Sequence, residues 1–319
     1  MIKKIKNKGR VIVNKSRIGF RYLSVFKKPI VTPKPRIIFF CDGLFSHGGL
    51  LDRIKGIISF YEAAKILEYD FFIYFNHPFE LNEFLLPNEV SWNIDKREMN
   101  FSVFDSKVIY GMNDFNFNPL DEIKKSKVQN YLVYANIDYL PTLYKNNTQK
   151  ENERLWRTNF TELFVKSIVL ENELITLPSL KRLVFHLRFT SLMGDFKDTT
   201  QNILNLEERI LLIGEIMLQI NEKVGDCPSE LVYVVSDSSF FLDYIKEYTK
   251  FNVLPGKPIH VDFSNNDVIS NQSHLKTFLD FFFISECDCI VMIRLDLMYY
   301  SSFSRYAAIL GDKPFSIIQ

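Results

Sequence analysis

Arg36-Ile37-Ile38-Phe39-Phe40-Cys41, then a loop closing on Gly48-Gly49, then Leu50-Leu51-Asp52-Arg53-Ile54-Lys55-Gly56: this stretch reads as strand, glycine turn and helix. The strand is a continuous apolar run, as expected of a strand buried on both faces of a parallel sheet. Leu50, Leu51, Ile54, Ile57, Ile58 and Tyr61 recur with helical period, which predicts a helix over 50–67. Two adjacent glycines let backbone N–H groups approach a ligand closely. The positive end of the following helix suits an anion such as a phosphate.

The alternation continues outward from there. Further strands are expected at Asp70 to Phe75, Lys107 to Tyr110 and Tyr131 to Asn136, and one long helix at Lys150 to Leu170. Pro178 marks an expected domain boundary. Beyond it come strands at Arg182 to Leu187, Leu231 to Ser236, Cys289 to Ile293 and Phe315 to Ile318. Helices are expected at Glu207 to Val224, Ser238 to Tyr248, Ser273 to Ser285 and Ser302 to Leu310. Short apolar strands alternating with helices give an α/β fold with mainly parallel sheets. The chain has 319 residues, more than one typical domain. The expected division is a basic arm and linker over 1–35, an N-terminal Rossmann-like domain over 36–177 and a C-terminal one over 178–319.

Composition is that of an ordinary globular protein, 47% hydrophobic and 24% charged with a net charge of +1. The charge is unevenly spread. Residues 1–36 hold twelve Lys or Arg and no Asp or Glu. Ile12, Val13, Ile18, Phe20, Tyr22, Leu23, Val25 and Phe26 are interleaved with them, which fits an interfacial segment rather than a spanning one. An anionic membrane surface is the favoured partner of this arm, ahead of a tail without a partner; nucleic acid is not expected. No secretory signal is visible. Cys41, Cys227, Cys287 and Cys289 form no C-x-x-C pair and no zinc-like spacing. Reduced thiols and a cytoplasmic location are expected.

Four short segments could carry chemistry, and all fall at strand ends or in the turns that follow, where ligands bind in such sheets. The first is the Gly48-Gly49 loop, with His47 and Arg53 beside it. The second is His186-Leu187-Arg188, where alternation puts His186 and Arg188 on one face. Arg stays charged and can grip phosphate oxygens bidentately, although an Arg at a sheet end beside a core His would read the same. The third is Ser236-Asp237-Ser238, whose Asp237 could bind a nucleoside or cap the next helix. The fourth is Ser301-Ser302-Phe303-Ser304, able to cap a helix and to contact phosphate. His260 is a further residue that could face the site. No Asp-x-Asp pair occurs, so Arg rather than a metal is expected to neutralise a phosphate leaving group.

Taken in order, these segments resemble the fucosyltransferase superfamily, which includes bacterial α-1,2- and α-1,6-fucosyltransferases and protein O-fucosyltransferases. Gly48-Gly49-Leu50-Leu51-Asp52-Arg53 looks like its first motif, and His186-Leu187-Arg188 like its His-x-Arg motif. Phe278-Leu279-Asp280, Ser285 to Val291 and Ser301-Ser302-Phe303-Ser304 are similar to its C-terminal motif. Bacterial members commonly continue Arg-Gly-Asp after His-x-Arg; here Phe189-Thr190 follow Arg188, and the nearest Gly-Asp is Gly194-Asp195.

The resemblance implies a GT-B-like fold of two facing Rossmann-like domains. It implies an inverting, metal-independent transfer of fucose from GDP-fucose to a glycan or lipid-linked glycan, as in surface polysaccharide or lipopolysaccharide assembly at the inner face of the membrane. Arg188 would be catalytic, with Gly48, Gly49, His186, Asp237, Ser302, Phe303 and Ser304 on the donor. Transfer of another activated sugar or phosphoryl-type group, or a non-catalytic glycan-binding protein of this fold, are the alternatives.

Overall fold

The computed structural model describes residues 2–178, 183–196, 202–259, 261 and 272–319. The chain forms two compact units, Met1–Val165 and Lys166–Gln319.

In chain order the first unit runs α1 (Ile2–Tyr22), β1 (Leu23–Ser24), β2 (Arg36–Cys41), α2 (Leu50–Leu67), β3 (Asp70–Phe75), β4 (Leu85–Pro87), β5 (Phe101–Ser102), β6 (Ser106–Tyr110), α3 (Pro119–Lys124), β7 (Asn130–Tyr134), α4 (Leu140–Leu143) and α5 (Gln149–Leu163). Its main sheet is parallel, in the order β3-β2-β7-β6. Alternate residues of the strands serve opposite faces. Ile38, Phe40, Leu132 and Tyr134 meet Ile18 and Tyr22 of α1 in one cluster. Phe39 points the other way, to Phe60 of α2, with ring centroids 6.2 Å apart. There Gly56 is obligatory: a Cβ would lie 2.7 Å from the Phe39 ring and 2.8 Å from the Ala135 carbonyl.

Residues 1–35, expected as an arm and linker, are therefore in large part structural. Residues 2–22 form a helix whose inner side completes the core of the first unit. Asn14 Nδ2 donates to Tyr110 Oη at 2.8 Å, and Lys15 pairs with Glu122 at 3.1 Å. The expected helix at 150–170 is also two helices. The chain becomes extended at β8 (Phe164–Lys166), and Ser167 starts α6 (Ile168–Ile175) by accepting a hydrogen bond from the Leu170 amide. Helix α6 belongs with the second unit, so the division falls at 165/166 instead of 177/178.

The second unit continues β9 (Leu183–Leu187), α7 (Leu206–Val224), β10 (Val232–Ser236), α8 (Ser239–Tyr248), β11 (Asn252–Val253), α9 (Gln272–Glu286), β12 (Cys289–Ile293), α10 (Phe303–Gly311) and β13 (Phe315–Ile318). All pairs in its sheet are parallel, in the order β11-β10-β9-β12-β13. Counting from β9, this is the 3-2-1-4-5 order of a Rossmann half. Leu183, Phe185 and Leu187 pack against Leu212, Ile213, Ile216 and Ile220 of α7 and Phe241 of α8. Helices α9 and α10 accompany the other face, where Tyr233 meets Phe283 at 4.7 Å. Strand order reverses between β9 and β12, and a crevice opens beyond the carboxyl ends of strands at such a point.

Candidate donor site and the glycine loop

In the second unit, β9 ends at Leu187, so Arg188 is the first residue beyond the strand, at the reversal point. Asp237 follows β10, the neighbouring strand. Its buried carboxylate accepts the Phe189 amide on Oδ1 and the Thr190 amide on Oδ2, both at 2.8 Å. Arg188 Nε sits 3.2 Å from the same Oδ2. Thr190 holds φ at +57°, a conformation that costs a non-glycine residue about 1–2 kcal/mol; the two amide bonds to Asp237 hold it there. Phe196 lies against the guanidinium, 4.6 Å from ring centroid to Cζ. Asp195 closes the loop by accepting Ser238 Oγ at 3.1 Å and the Phe240 amide at 2.7 Å. Asp237 thus ties the Phe189 and Thr190 amides and the Arg188 guanidinium together at the end of β9.

The departure after Arg188 also has a physical reason. Phe189 is fully buried in the core beneath the sheet and packs on Phe241 at 5.1 Å. An apolar anchor occupies the place where a second arginine was looked for.

His186 lies inside β9, buried, with Phe303 stacked on it at 5.5 Å and Phe281 of α9 edge-on to Phe303 at 5.6 Å. Burial, with the nearby Arg188 charge, lowers its pKa to about 3, so the imidazole is neutral near pH 7. Its Nδ1 has no hydrogen-bond partner among the described residues. The backbone beyond β12 is tied to the same point, the Tyr299 amide donating to the Arg188 carbonyl at 3.1 Å. Ser301 Oγ accepts the Phe303 amide at 3.2 Å, and Ser302 is the N-cap of α10. Ser302 and Phe303 are half-buried, whereas Ser304 is fully enclosed, its hydroxyl without a partner among the described residues. His260 lies outside the described residues.

Arg294 and Lys276 at this edge escaped the sequence reading, which named Asp280 only within a motif. Arg294 directly follows β12, with Nε 3.3 Å from the Met298 carbonyl. Its position one residue past an apolar strand, like that of Arg188, was the available signal. Lys276 and Asp280, one turn apart on α9, form a buried ion pair at 2.6 Å. Burial pushes the Asp280 carboxyl up, and Lys276 opposes that shift. Among the described residues, no three His, Cys, Asp or Glu side chains group as metal ligands.

In the first unit the strand order reverses between β2 and β7, and the glycine loop leaves β2 there. Gly48 has φ +86°, and a Cβ on it would collide with the Asp52 carboxylate. The Gly49 amide is taken by Asp52 Oδ2 at 3.2 Å, forming the cap of α2. Arg53 is 1% exposed and donates from Nη1 to the Gly48 and Gly49 carbonyls. His47 is buried against Tyr134 at 5.8 Å, with Nδ1 3.0 Å from the Phe45 carbonyl. Its own carbonyl accepts Asn136 Nδ2 at 3.4 Å. His47 Nδ1, Arg53 Nη1 and the Gly49 amide make bonds within the loop itself, so these residues shape it.

Asp42, the residue after β2, is the centre of this end of the sheet and was missed. It accepts the Tyr22 hydroxyl, the Tyr134 hydroxyl at 2.9 Å and the Leu44 amide at 3.0 Å, and Arg21 Nε approaches to 3.4 Å. Burial together with the Asp42 charge raises the pKa of both tyrosines, keeping them protonated donors.

In a parallel sheet of this strand order, ligands bind beyond the carboxyl ends of the strands at the reversal point, where Arg188 lies. The sequence matches no protein-family model and no curated protein. The structure is similar to that of an Arabidopsis thaliana FUT1 mutant in complex with GDP, with TM-score 0.59, 12% identity, and coverage of 99% of this chain and 78% of that one. It is also similar to NodZ, an α-1,6-fucosyltransferase co-crystallised with GDP, with TM-score 0.54, 14% identity, and coverage of 88% and 93%. A NodZ structure from Bradyrhizobium matches with TM-score 0.52, 15% identity, and coverage of 88% and 94%. The fold is the mainly parallel, GT-B-like α/β fold of fucosyltransferases, as the resemblance implied.

Proposed function

We propose that this chain is a glycosyltransferase that moves fucose from GDP-fucose to a glycan acceptor, with the second unit holding the donor and the first serving the acceptor. The observation that carries the reading is Arg188 at the reversal point of a Rossmann-order sheet, aimed by Asp237. Support comes from similarity to fucosyltransferases solved with GDP.

In the proposed step an acceptor hydroxyl oxygen bonds to C1 of the sugar as the bond from C1 to the β-phosphate oxygen breaks. The electron pair leaves with GDP, inverting C1, and the hydroxyl proton passes to a base that the described residues do not identify. The charge developing on the diphosphate is what the protein must stabilise. Arg188 is always protonated, and its Nε contact with Asp237 fixes the plane of the guanidinium fork. Arg294, beyond the adjacent strand, is a candidate second cation. The amino end of α10, at Ser302 and Phe303, adds its helix dipole. Neutral His186 supplies a stacking wall for Phe303 rather than a charge. A lipid-linked acceptor in surface-glycan assembly, met at the inner face of the membrane, completes the proposal.

Thermal unfolding with GDP, UDP, CMP and GDP-fucose tests the reading, because a ligand of the folded state must raise apparent stability. Selective stabilisation by GDP and GDP-fucose is expected, and its loss in Arg188→Ala. Stabilisation by UDP or CMP alone replaces the donor, and none at all removes the reading.

A further inference from the structure

Helix α1 has two apolar faces, and the fold uses only one. Ile18 and Tyr22 are spent on the sheet, with Asn14 and Lys15 bonded alongside. On the opposite side Ile12, Val13 and Phe20 face water, Phe20 at 91% exposure. Val13 and Phe20 are seven residues apart and therefore in line along the helix. Arg10 and Arg17, also seven apart and exposed, form the neighbouring row. The chain beyond the helix continues the pattern: Val25, Phe26 and Val31 are exposed, Phe26 at 95%, around exposed Lys27 and Lys28.

Isolated exposed hydrophobics are common, but a contiguous set of large ones marks a contact surface. This set is embedded in basic residues, and no Asp or Glu occurs anywhere in 1–36. Alternating apolar and cationic groups match the boundary of an anionic bilayer, where rings enter the acyl region and cations stay among headgroup phosphates. Among the described residues, no helix is long and apolar enough to cross a membrane.

We infer that the outer face of α1 and the segment 25–31 form a docking surface for an anionic phospholipid bilayer, on which the protein lies without spanning it. The inference goes beyond the transferase reading and stands whether or not the donor is GDP-fucose. Arg21 and Tyr22 join the helix to Asp42, so the docked helix carries with it the loop that leaves β2.

The test is co-sedimentation of the full chain with mixed phosphatidylglycerol–phosphatidylcholine vesicles and with phosphatidylcholine alone, at low and high salt. Binding to the anionic vesicles is expected, weakened by salt. Phe20→Ser with Phe26→Ser should lower partitioning by roughly tenfold or more per ring. Each of Arg10→Gln, Arg17→Gln, Lys27→Gln and Lys28→Gln should lower it by about fivefold. All six residues are exposed, Arg17 lying also over the Phe45 ring at 5.0 Å, and an unchanged unfolding temperature confirms that the variants fold. No binding to anionic vesicles at low salt overturns the inference. So does equal binding by the double Phe variant, or a change confined to oligomeric state, which would assign the face to a protein. Nucleotide-induced stabilisation of the same preparations tests the transferase reading separately.

Discussion

Asp237→Asn separates aiming from binding. The carboxylate accepts two backbone amides at 2.8 Å and the Arg188 Nε at 3.2 Å. An amide has one accepting oxygen, so at least one buried amide loses its acceptor and faces an N–H₂ group. That costs about 1.5–3 kcal/mol. Arg188 is one-fifth exposed and can recover part of its loss from water. The change also relieves a desolvation cost, because burial is the largest cause of the raised Asp237 pKa. The net expectation is a loss of about 2 kcal/mol, or roughly 4–8 °C in the unfolding temperature of a unit this size. The loop at 188–190 should also lose its grip on the guanidinium, weakening GDP by about tenfold, which corresponds to 1.4 kcal/mol. Differential scanning calorimetry and titration calorimetry with GDP measure the two effects. An unchanged melting temperature refutes the hydrogen-bond reasoning. A lowered melting temperature with unchanged GDP affinity shows that Asp237 clasps the loop without aiming Arg188.

Other expectations follow from individual contacts. The His186 pKa falls from 6.5 unfolded to about 3 folded, so its contribution to stability is present above pH 6.5 and is lost as pH falls toward 3. The slope is at most about 1.4 kcal/mol per pH unit. His186→Leu should flatten the acid limb of a stability–pH profile by one proton, and an unaltered profile would show that the imidazole is accessible. Gly48→Ala forces a side chain into a left-handed conformation and onto Asp52, so it should cost about 2 kcal/mol or more through strain and the lost cap; chemical denaturation would register this. Arg294→Ala should weaken GDP binding with little change in melting temperature, and unchanged affinity would remove it as the second cation.

How far the sequence could be read depended on where each residue's partners lie. Strands β2, β9 and β12 were legible because a short apolar run identifies itself locally. The break at Phe164–Lys166 was hidden because those residues continue the apolar period of α5; Ser167, an N-cap type, was the overlooked signal. Helix α1 was read as an arm because apolar residues on both its sides blur the helical period and twelve basic residues dominate the stretch. In the candidate site, Arg188 was visible as a cation at the end of an apolar run. The service of Asp237 to the Phe189 and Thr190 amides, 48 and 47 residues away, was not visible. His47 and Arg53 were singled out because they flank the Gly48-Gly49 loop at a strand end, where ligands bind in such sheets. Their burial depends on carbonyls and rings placed by the finished fold.

The seating of α1 also sets an order of events during synthesis. The helix leaves the ribosome ahead of its bonding partners: Tyr110 and Glu122 follow Asn14 and Lys15 by 96 and 107 residues, and Tyr22 shares Asp42 with Tyr134, still further along. Its seat therefore needs β6 and β7 beside β2. Contacts so remote in the chain are slow to form, because the intervening loop must first be closed. At translation rates of about 5–20 residues per second, Ile18 and Tyr22 wait for several seconds without their partners. During that interval both sides of the helix are uncovered, and a nascent chain held by a chaperone or a bilayer would be protected when a free one would aggregate.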